Sequence, residues 1–300
     1  MKKIFLAVLI GTLFTACGGK EETSETKEND ETTTEETTEN AGGVFKGIEV
    51  LNSIPDPVET AALIKDLGIR YDKSALNDVN KKSSYSKSHE QALNLGVYSA
   101  DLAYANIYSQ NQDAIDYLTA IKEMADGINI SQYFDFEKIK QMTSEGTDLE
   151  ELLKVTLSNL HQVNEELQKE QRGEMTVYIV SGGWLEALYL SCYVAKEAQN
   201  STELKEYIAD QKIILAQIVN LLSNNKDKST HIANLHEQFS KIATAYEPIS
   251  LVYGEVEDTE NKQGDEIVVE QATDVKLNFS DADFNTLYDT IVEVRKEIIK

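Results

Sequence analysis

Two acidic side chains, Asp101 and Glu186, stand alone in otherwise apolar segments of the chain. Residues 91–109 hold no acid other than Asp101, and residues 175–195 hold none other than Glu186. A carboxylate in such a segment is costly to remove from water unless it is paired or protonated. Two carboxyls that meet in a cleft could act as acid and base in glycoside hydrolysis, at separations of about 5 Å for retention or about 6.5–9.5 Å for inversion.

The role of these acids depends on what surrounds them. Four aromatic residues flank them along the chain and would line a ligand site if the acids faced a pocket: Tyr98, Tyr104, Trp184 and Tyr189. The alternative, which we favour, is a buried and hydrogen-bonded network that sets the register of the helices. On that interpretation, Glu186→Gln should keep most of the hydrogen bonds of Glu186, whereas Glu186→Ala should destabilise the protein by about 1–3 kcal/mol because its partners lose theirs.

Other catalytic and metal-binding patterns are weak. The four histidines have no HExxH or other spacing typical of metal ligands: His89, His161, His231 and His236. Residues 259–270 fail as a calcium loop, because Thr259 takes the first ligand position and flanking helices are not predicted. No phosphate loop or dinucleotide fingerprint occurs, so we predict neither a metal nor a cofactor. Cys192 has no histidine close in sequence, which favours a buried structural thiol over a nucleophile.

The elements that position these residues are predicted to be helices. Apolar residues recur at helical spacing over most of the chain, and residues 72–87 form a polar loop. The predicted helices cover residues 57–67, 88–109, 112–125, 136–142, 149–173, 174–199, 201–222, 232–246 and 280–298. Residues 249–279 contain two short β-prone runs and predict a small irregular or β excursion. The fold class is all-α, a multi-helix bundle or stacked helical hairpins of about eight helices.

The two apolar helices share a weak sequence similarity. Gly96 and Tyr98 precede Asp101 much as Gly182 and Trp184 precede Glu186. This similarity suggests a duplication, with residues 88–170 matching 174–300. The glycines would permit either a close helix approach or a cleft. Residues 175–195 are long enough to cross a bilayer, but their glycine pair, glutamate and tyrosines favour a buried helix.

The first seventeen residues predict export and lipidation. Lys2 and Lys3 precede an apolar run at residues 4–14, which has the length of a signal-peptide core and is too short to span a bilayer. Leu13-Phe14-Thr15-Ala16-Cys17 resembles the bacterial lipobox, with Phe14 where an aliphatic residue is usual. We therefore expect residues 1–16 to be a signal peptide. The resemblance implies that Cys17 carries the lipid and binds the protein to a membrane.

Residues 17–43 are predicted to be a lipidated cysteine followed by a disordered tether. Residues 18–43 carry nine acidic and two basic side chains and no aromatic one, so they cannot offset the entropy of ordering. The chain has a formal charge of −24, and −19 remains on residues 44–300 after the signal (+2) and the tether (−7) are removed. This charge disfavours nucleic acid and anionic lipid surfaces as partners of the helical domain, residues 44–300.

Two segments carry a family resemblance. GVYSADLAYA, which begins at Gly96, and SGGWLEALYL, which begins at Ser181, resemble the signatures of uncharacterised helical lipoproteins of Bacteroidetes. The resemblance implies a helical fold and an outer-envelope location but no known activity. Lys20-Glu21-Glu22 is also similar to the signal that sends lipoproteins of that group to the cell surface.

These observations predict a lipid-anchored protein of the outer membrane, with the cell surface favoured over the periplasmic face. Its helical domain would bind or scaffold an unidentified protein or small molecule. The alternative is an envelope hydrolase that uses Glu186 and Asp101 as its acid and base.

Overall fold

A computed structural model describes residues 64, 67–146, 149–198, 201–253, 259–263, 266–270 and 275–300 of the chain. All of them lie in one unit, Gly43–Lys300. The predicted signal peptide, Cys17, the tether and residues 147–148 lie outside the described residues. So does most of the predicted helix at 57–67, of which Ile64 is described as helical and buried.

The described residues contain eight α-helices with defined bounds. They are α1 (Ser88–Ile107), α2 (Asn111–Gly127), α3 (Phe136–Glu145), α4 (Leu149–Lys169), α5 (Glu174–Glu197), α6 (Thr202–Ser223), α7 (Thr230–Ala245) and α8 (Asp281–Ile298). The predicted all-α fold is confirmed, with helix ends within about one turn of their predicted positions. Local signals explain several of these ends, such as the Ser280–Asp283 capping box at the start of α8 and Gly146, at φ +66°, after α3.

The predicted β excursion follows α7 and consists of short antiparallel pairs. The strands are β1 (Ser250–Tyr253), β2 (Thr259–Gln263), β3 (Glu266–Glu270) and β4 (Val275–Asn278). β1 pairs with β4, with Leu251 opposite Leu277, and β2 pairs with β3 between them in the chain. The excursion therefore begins and ends on a two-stranded ribbon, and its first strand contacts α6.

Helix α5 lies at the centre of the bundle, where it packs against α1, α4, α6 and α8. By length and composition it could cross a membrane, but 83% of its most apolar window is buried in the fold. Its apolar character on nearly all sides is thus explained by neighbouring helices on nearly all sides.

Helices α1 and α5 touch through their backbones. A Cβ atom built on Gly96 would lie 2.0 Å from the carbonyl oxygen of Ile179, and one built on Gly182 would lie 2.0 Å from that of Leu93. No side chain fits in either place. Of the two outcomes that the glycines permit, the structure has the close approach at this crossing.

A strap of residues 67–87 precedes α1 and lies over the α1–α5 pair. It contains two 3₁₀ turns, Lys73–Ala75 and Val79–Ser84, within the predicted polar loop. Asp72 and Asp78 cap these turns by accepting hydrogen bonds from the backbone N–H groups of Ser74 and Asn80. The strap is therefore an ordered cover whose local folds are set by two aspartates.

Candidate functional site

The two candidate acids meet in the interior of the bundle. Asp101 of α1 and Glu186 of α5 each follow the glycine crossing by about one helical turn, and both side chains are 0% exposed. The carboxyl groups are close enough that Glu186 acts directly on the ionisation of Asp101. The structure therefore brings together the two acids that the sequence singled out.

Glu186 is paired with an arginine that the sequence analysis missed. Arg295 of α8 donates two hydrogen bonds to its carboxylate, from Nε to Oε2 at 2.6 Å and from Nη2 to Oε1 at 2.5 Å. Nη2 also donates to the carbonyl oxygen of Ala75 in the strap at 3.1 Å. The guanidinium carbon lies 4.0 Å from the ring centroid of Tyr189. Arg295 thus ties α5, α8 and the strap together with a planar, bidentate contact.

The surroundings of Asp101 favour its neutral, protonated form. Burial, and next the neighbouring Glu186, raise the pKa of Asp101 well above its ordinary value, although Arg295 opposes them. Its Oδ2 accepts a hydrogen bond from the backbone N–H of Asn77 at 3.2 Å, whereas Oδ1 has no donor among the described residues. A proton retained on Asp101 would make the group of two carboxyls and one guanidinium electrically neutral. It would also give Asp101 a hydrogen to donate towards Glu186.

Asparagines extend this buried group to the strap and the end of α8. The Nδ2 atom of Asn77 donates to the hydroxyl of Tyr85 at 3.2 Å and to Oδ1 of Asn94 at 3.3 Å. Asn94 in turn donates to the carbonyl oxygen of Ile298 at 3.2 Å. The hydroxyl of Tyr117 donates to the carbonyl oxygen of Asn77 at 3.1 Å. The strap is therefore hydrogen-bonded to α1 and α2 around Asn77, and α1 to the end of α8 through Asn94.

The four predicted aromatic residues do not share one surface. The hydroxyl of Tyr98 donates to the carbonyl oxygen of Asp78 at 3.1 Å, and Tyr189 stacks beneath the guanidinium group. Tyr104 is buried, and its hydroxyl has no partner among the described residues.

Trp184 lies about 200° around α5 from Glu186. Its indole N–H donates to Oε1 of Gln211 at 3.3 Å, and its ring centroid lies 5.7 Å from that of Phe239. Trp184 therefore packs towards α6 and α7, away from the two acids.

A small apolar pocket of about 40 Å³ lies elsewhere, between α1, α2, α3 and α4. Its walls are Ser99, Leu102, Ala103, Asn106, Leu118, Ile121, Phe134, Phe136, Ile139 and Leu152. It lies on the face of α1 opposite Asp101, given about 100° of rotation per residue. Neither acid lines this pocket, and both are 0% exposed.

The remaining candidates are placed as follows. Cys192 is fully buried, and burial raises the pKa of its thiol, which makes it a poor nucleophile. Within the part of the chain that the structure describes, no three His, Cys, Asp or Glu side chains are arranged to hold a metal ion.

The chain was compared with protein-family models, curated proteins and solved structures, and none of the three comparisons gave a match. The resemblance to helical lipoproteins of Bacteroidetes and the suggested duplication of residues 88–170 and 174–300 therefore stay predictions.

Replacing Asp101 with asparagine should raise the stability of the domain at neutral and alkaline pH. The pKa of Asp101 is raised in the folded state above its ordinary value of 3.8. Asp101 therefore contributes its full stabilisation of the folded state below pH 3.8, and this contribution is lost as the pH rises through the folded pKa. An asparagine amide supplies a donor to Glu186 without titrating. In denaturant unfolding, we expect the free energy of unfolding of the variant, relative to that of the parent, to increase from pH 5 to pH 8.5. A difference that is constant over this range would show that Asp101 is ionised in the folded protein.

Proposed function

We propose that this protein is a lipoprotein anchored in the outer membrane through Cys17, with a helical domain that binds or scaffolds a partner in the cell envelope. The observation that carries the proposal is Leu13-Phe14-Thr15-Ala16-Cys17, placed directly after a signal-like apolar run. The acidic residues 18–43 then supply a tether of about 28 Å, from about 5–6 Å times the square root of its length. Stable anchoring needs more than one acyl chain, which the lipidated cysteine of such proteins is expected to provide.

The interior of the helical domain supports a binding role over a hydrolytic one. The two acids that could have supplied acid–base chemistry are sealed, and Arg295 neutralises Glu186. This arrangement fits a group that holds α1, α5, α8 and the strap in register. A hydrolase would instead need one acid and one base open to a substrate, so the proposal places the working surface of the domain outside this group.

Labelling cells with an alkyne fatty acid would test the anchor. We expect the parent protein to incorporate the label and to fractionate with the outer membrane. Cys17→Ser should lose both properties, because its side chain cannot form the thioether to the lipid. Cys192→Ala is the matched control: it removes the other cysteine of the chain and should still be labelled. Labelling of Cys17→Ser, or its retention in the outer membrane, would overturn the proposal.

A separate measurement is needed to determine on which face of the outer membrane the protein lies. Lys20-Glu21-Glu22 supports display at the cell surface, so protease added to intact cells should cleave the parent protein. Replacing these three residues with alanine should protect the protein while leaving it lipidated. Protection of the parent would place the protein on the periplasmic face without affecting the anchor itself.

A further inference from the structure

His89 and His231 form a close contact between two helix ends. Each is the second residue of its helix, α1 or α7. The ring centroids are 3.7 Å apart, and the ring planes differ by 18°. Beneath them, the ring of Tyr178 of α5 lies 6.0 Å from that of His89, and its hydroxyl lies 3.5 Å from Oγ of Ser229, the cap of α7. The stacked rings therefore join the starts of α1 and α7 above the central helix.

The geometry of the pair suits stacking of neutral rings. Because the ring planes are nearly parallel, the lone pairs of the ring nitrogens lie in parallel planes and do not converge on one point. The contact is thus poorly shaped to chelate a metal ion, whose bonds to histidine lie in the plane of each ring. Neutral imidazoles can approach face to face without a charge penalty.

Positive charge on the ring of His89 is opposed by its surroundings. Both histidines lie in the first turn of a helix, where the dipole disfavours cations. Burial, and next the neighbouring His231, lower the pKa of His89, and Lys87 acts in the same direction. Glu90 opposes them, but its carboxylate is engaged by Nζ of Lys87 at 2.9 Å. From α5, the phenol of Tyr178 packs against His89, and the carboxylate of Glu174, one turn earlier, helps to raise the pKa of that phenol.

We propose that His89 and His231 are an acid-opened clasp between the N-terminal ends of α1 and α7. While both rings are neutral, they stack and hold the start of α7 against α1. When both rings take a proton, two like charges face each other across the stack, and the first turn of α7 separates from α1 and Tyr178. This clasp does not depend on how the protein is anchored.

Hydrogen exchange of the full chain at pH 5.0 and pH 7.5 would test the clasp. The amides of residues 233–236 close the first turn of α7, beginning with the bond from Ala233 to the carbonyl oxygen of Ser229. After correction for intrinsic exchange, we expect these amides to lose protection at least tenfold at pH 5.0. The amides in the middle of α5 should lose much less.

Phenylalanine variants separate the charge from the stack. His231→Phe keeps an aromatic ring but cannot be protonated, so protection of residues 233–236 should become independent of pH. His89→Phe makes the same test from the α1 side if the first variant folds poorly. His161→Phe on α4 is the matched control and should keep the response of the parent. Equal protection of the parent at both pH values, or an unchanged acid response in both clasp variants, would overturn the proposal.

Discussion

Replacing Arg295 with methionine should destabilise the helical domain by about 3–5 kcal/mol, because it leaves the carboxylate of Glu186 buried without its counter-charge. Methionine is close to arginine in length and apolar bulk, so lost packing is a minor part of the effect. The same change removes the hydrogen bond to Ala75 and the ring contact with Tyr189. The backbone amides of the strap should therefore lose protection from hydrogen exchange as the stability of the domain falls.

Substitutions of Asp101 and Glu186 should have unequal effects on the free energy of unfolding, and a double-mutant cycle can measure the difference. Glu186→Gln removes the bidentate partner of Arg295, but Asp101 can then release its proton and supply the missing charge. We expect this variant to lose only about 1–3 kcal/mol. Combining it with Asp101→Asn leaves the arginine with no carboxylate nearby, so the double variant should lose more than the sum of the single changes. The sequence alone predicted that Glu186→Gln would keep most of the hydrogen bonds of Glu186, because Arg295 had not been identified as its partner.

Denaturant unfolding at pH 7 of the full chain carrying Cys17→Ser would measure these differences without a lipid. Replacing Glu186 and Arg295 together with methionine provides the control, since an apolar pair of similar volume often recovers the stability lost with one charge. A loss below about 1 kcal/mol for Arg295→Met would mean that Glu186 is neutral in the folded protein. The present account of the buried group would then be wrong.

The helices were predictable because their signals are local. Apolar spacing, the Ser280–Asp283 box and the stop at Gly146 each act over a few residues, and these give the fold class and most helix ends. The isolated positions of Asp101 and Glu186 were equally visible, because an acid in an apolar run needs a partner. The sequence therefore located two members of the buried group and stated what they required.

The partners themselves could not be predicted. Arg295 lies on an amphipathic helix among other charged residues, and Asn77 lies in a polar loop, so neither departs from its local pattern. Their roles come from tertiary contacts with Glu186 and Asp101, which no spacing rule encodes. The same holds for the stacked rings of His89 and His231. Trp184 shows the converse, because its nearness to Glu186 in sequence hides its position on the other side of α5.

The crossing of α1 and α5 at their glycines connects the features that the sequence predicted with those that it did not. The crossing brings α1 and α5 together at Gly96 and Gly182, and Asp101 and Glu186 follow it on the same two helices. Direct backbone contact places the two carboxyls within reach of each other and of Arg295. A wider separation of α1 and α5 would admit water to both acids and remove the reason for one of them to hold a proton.

Gly182→Ala should therefore destabilise the domain by about 3 kcal/mol, the upper part of the range for overpacking a core. Its Cβ would meet the carbonyl oxygen of Leu93 at 2.0 Å, a backbone atom that can move only with α1. Gly183→Ala is the matched control, since its Cβ would meet the nearest atom, the carbonyl oxygen of Gly96, at 3.4 Å. The gain in helix propensity, about 1 kcal/mol in either variant, should leave the control within about 1 kcal/mol of the parent. Equal unfolding free energies for the two variants would contradict direct contact between α1 and α5.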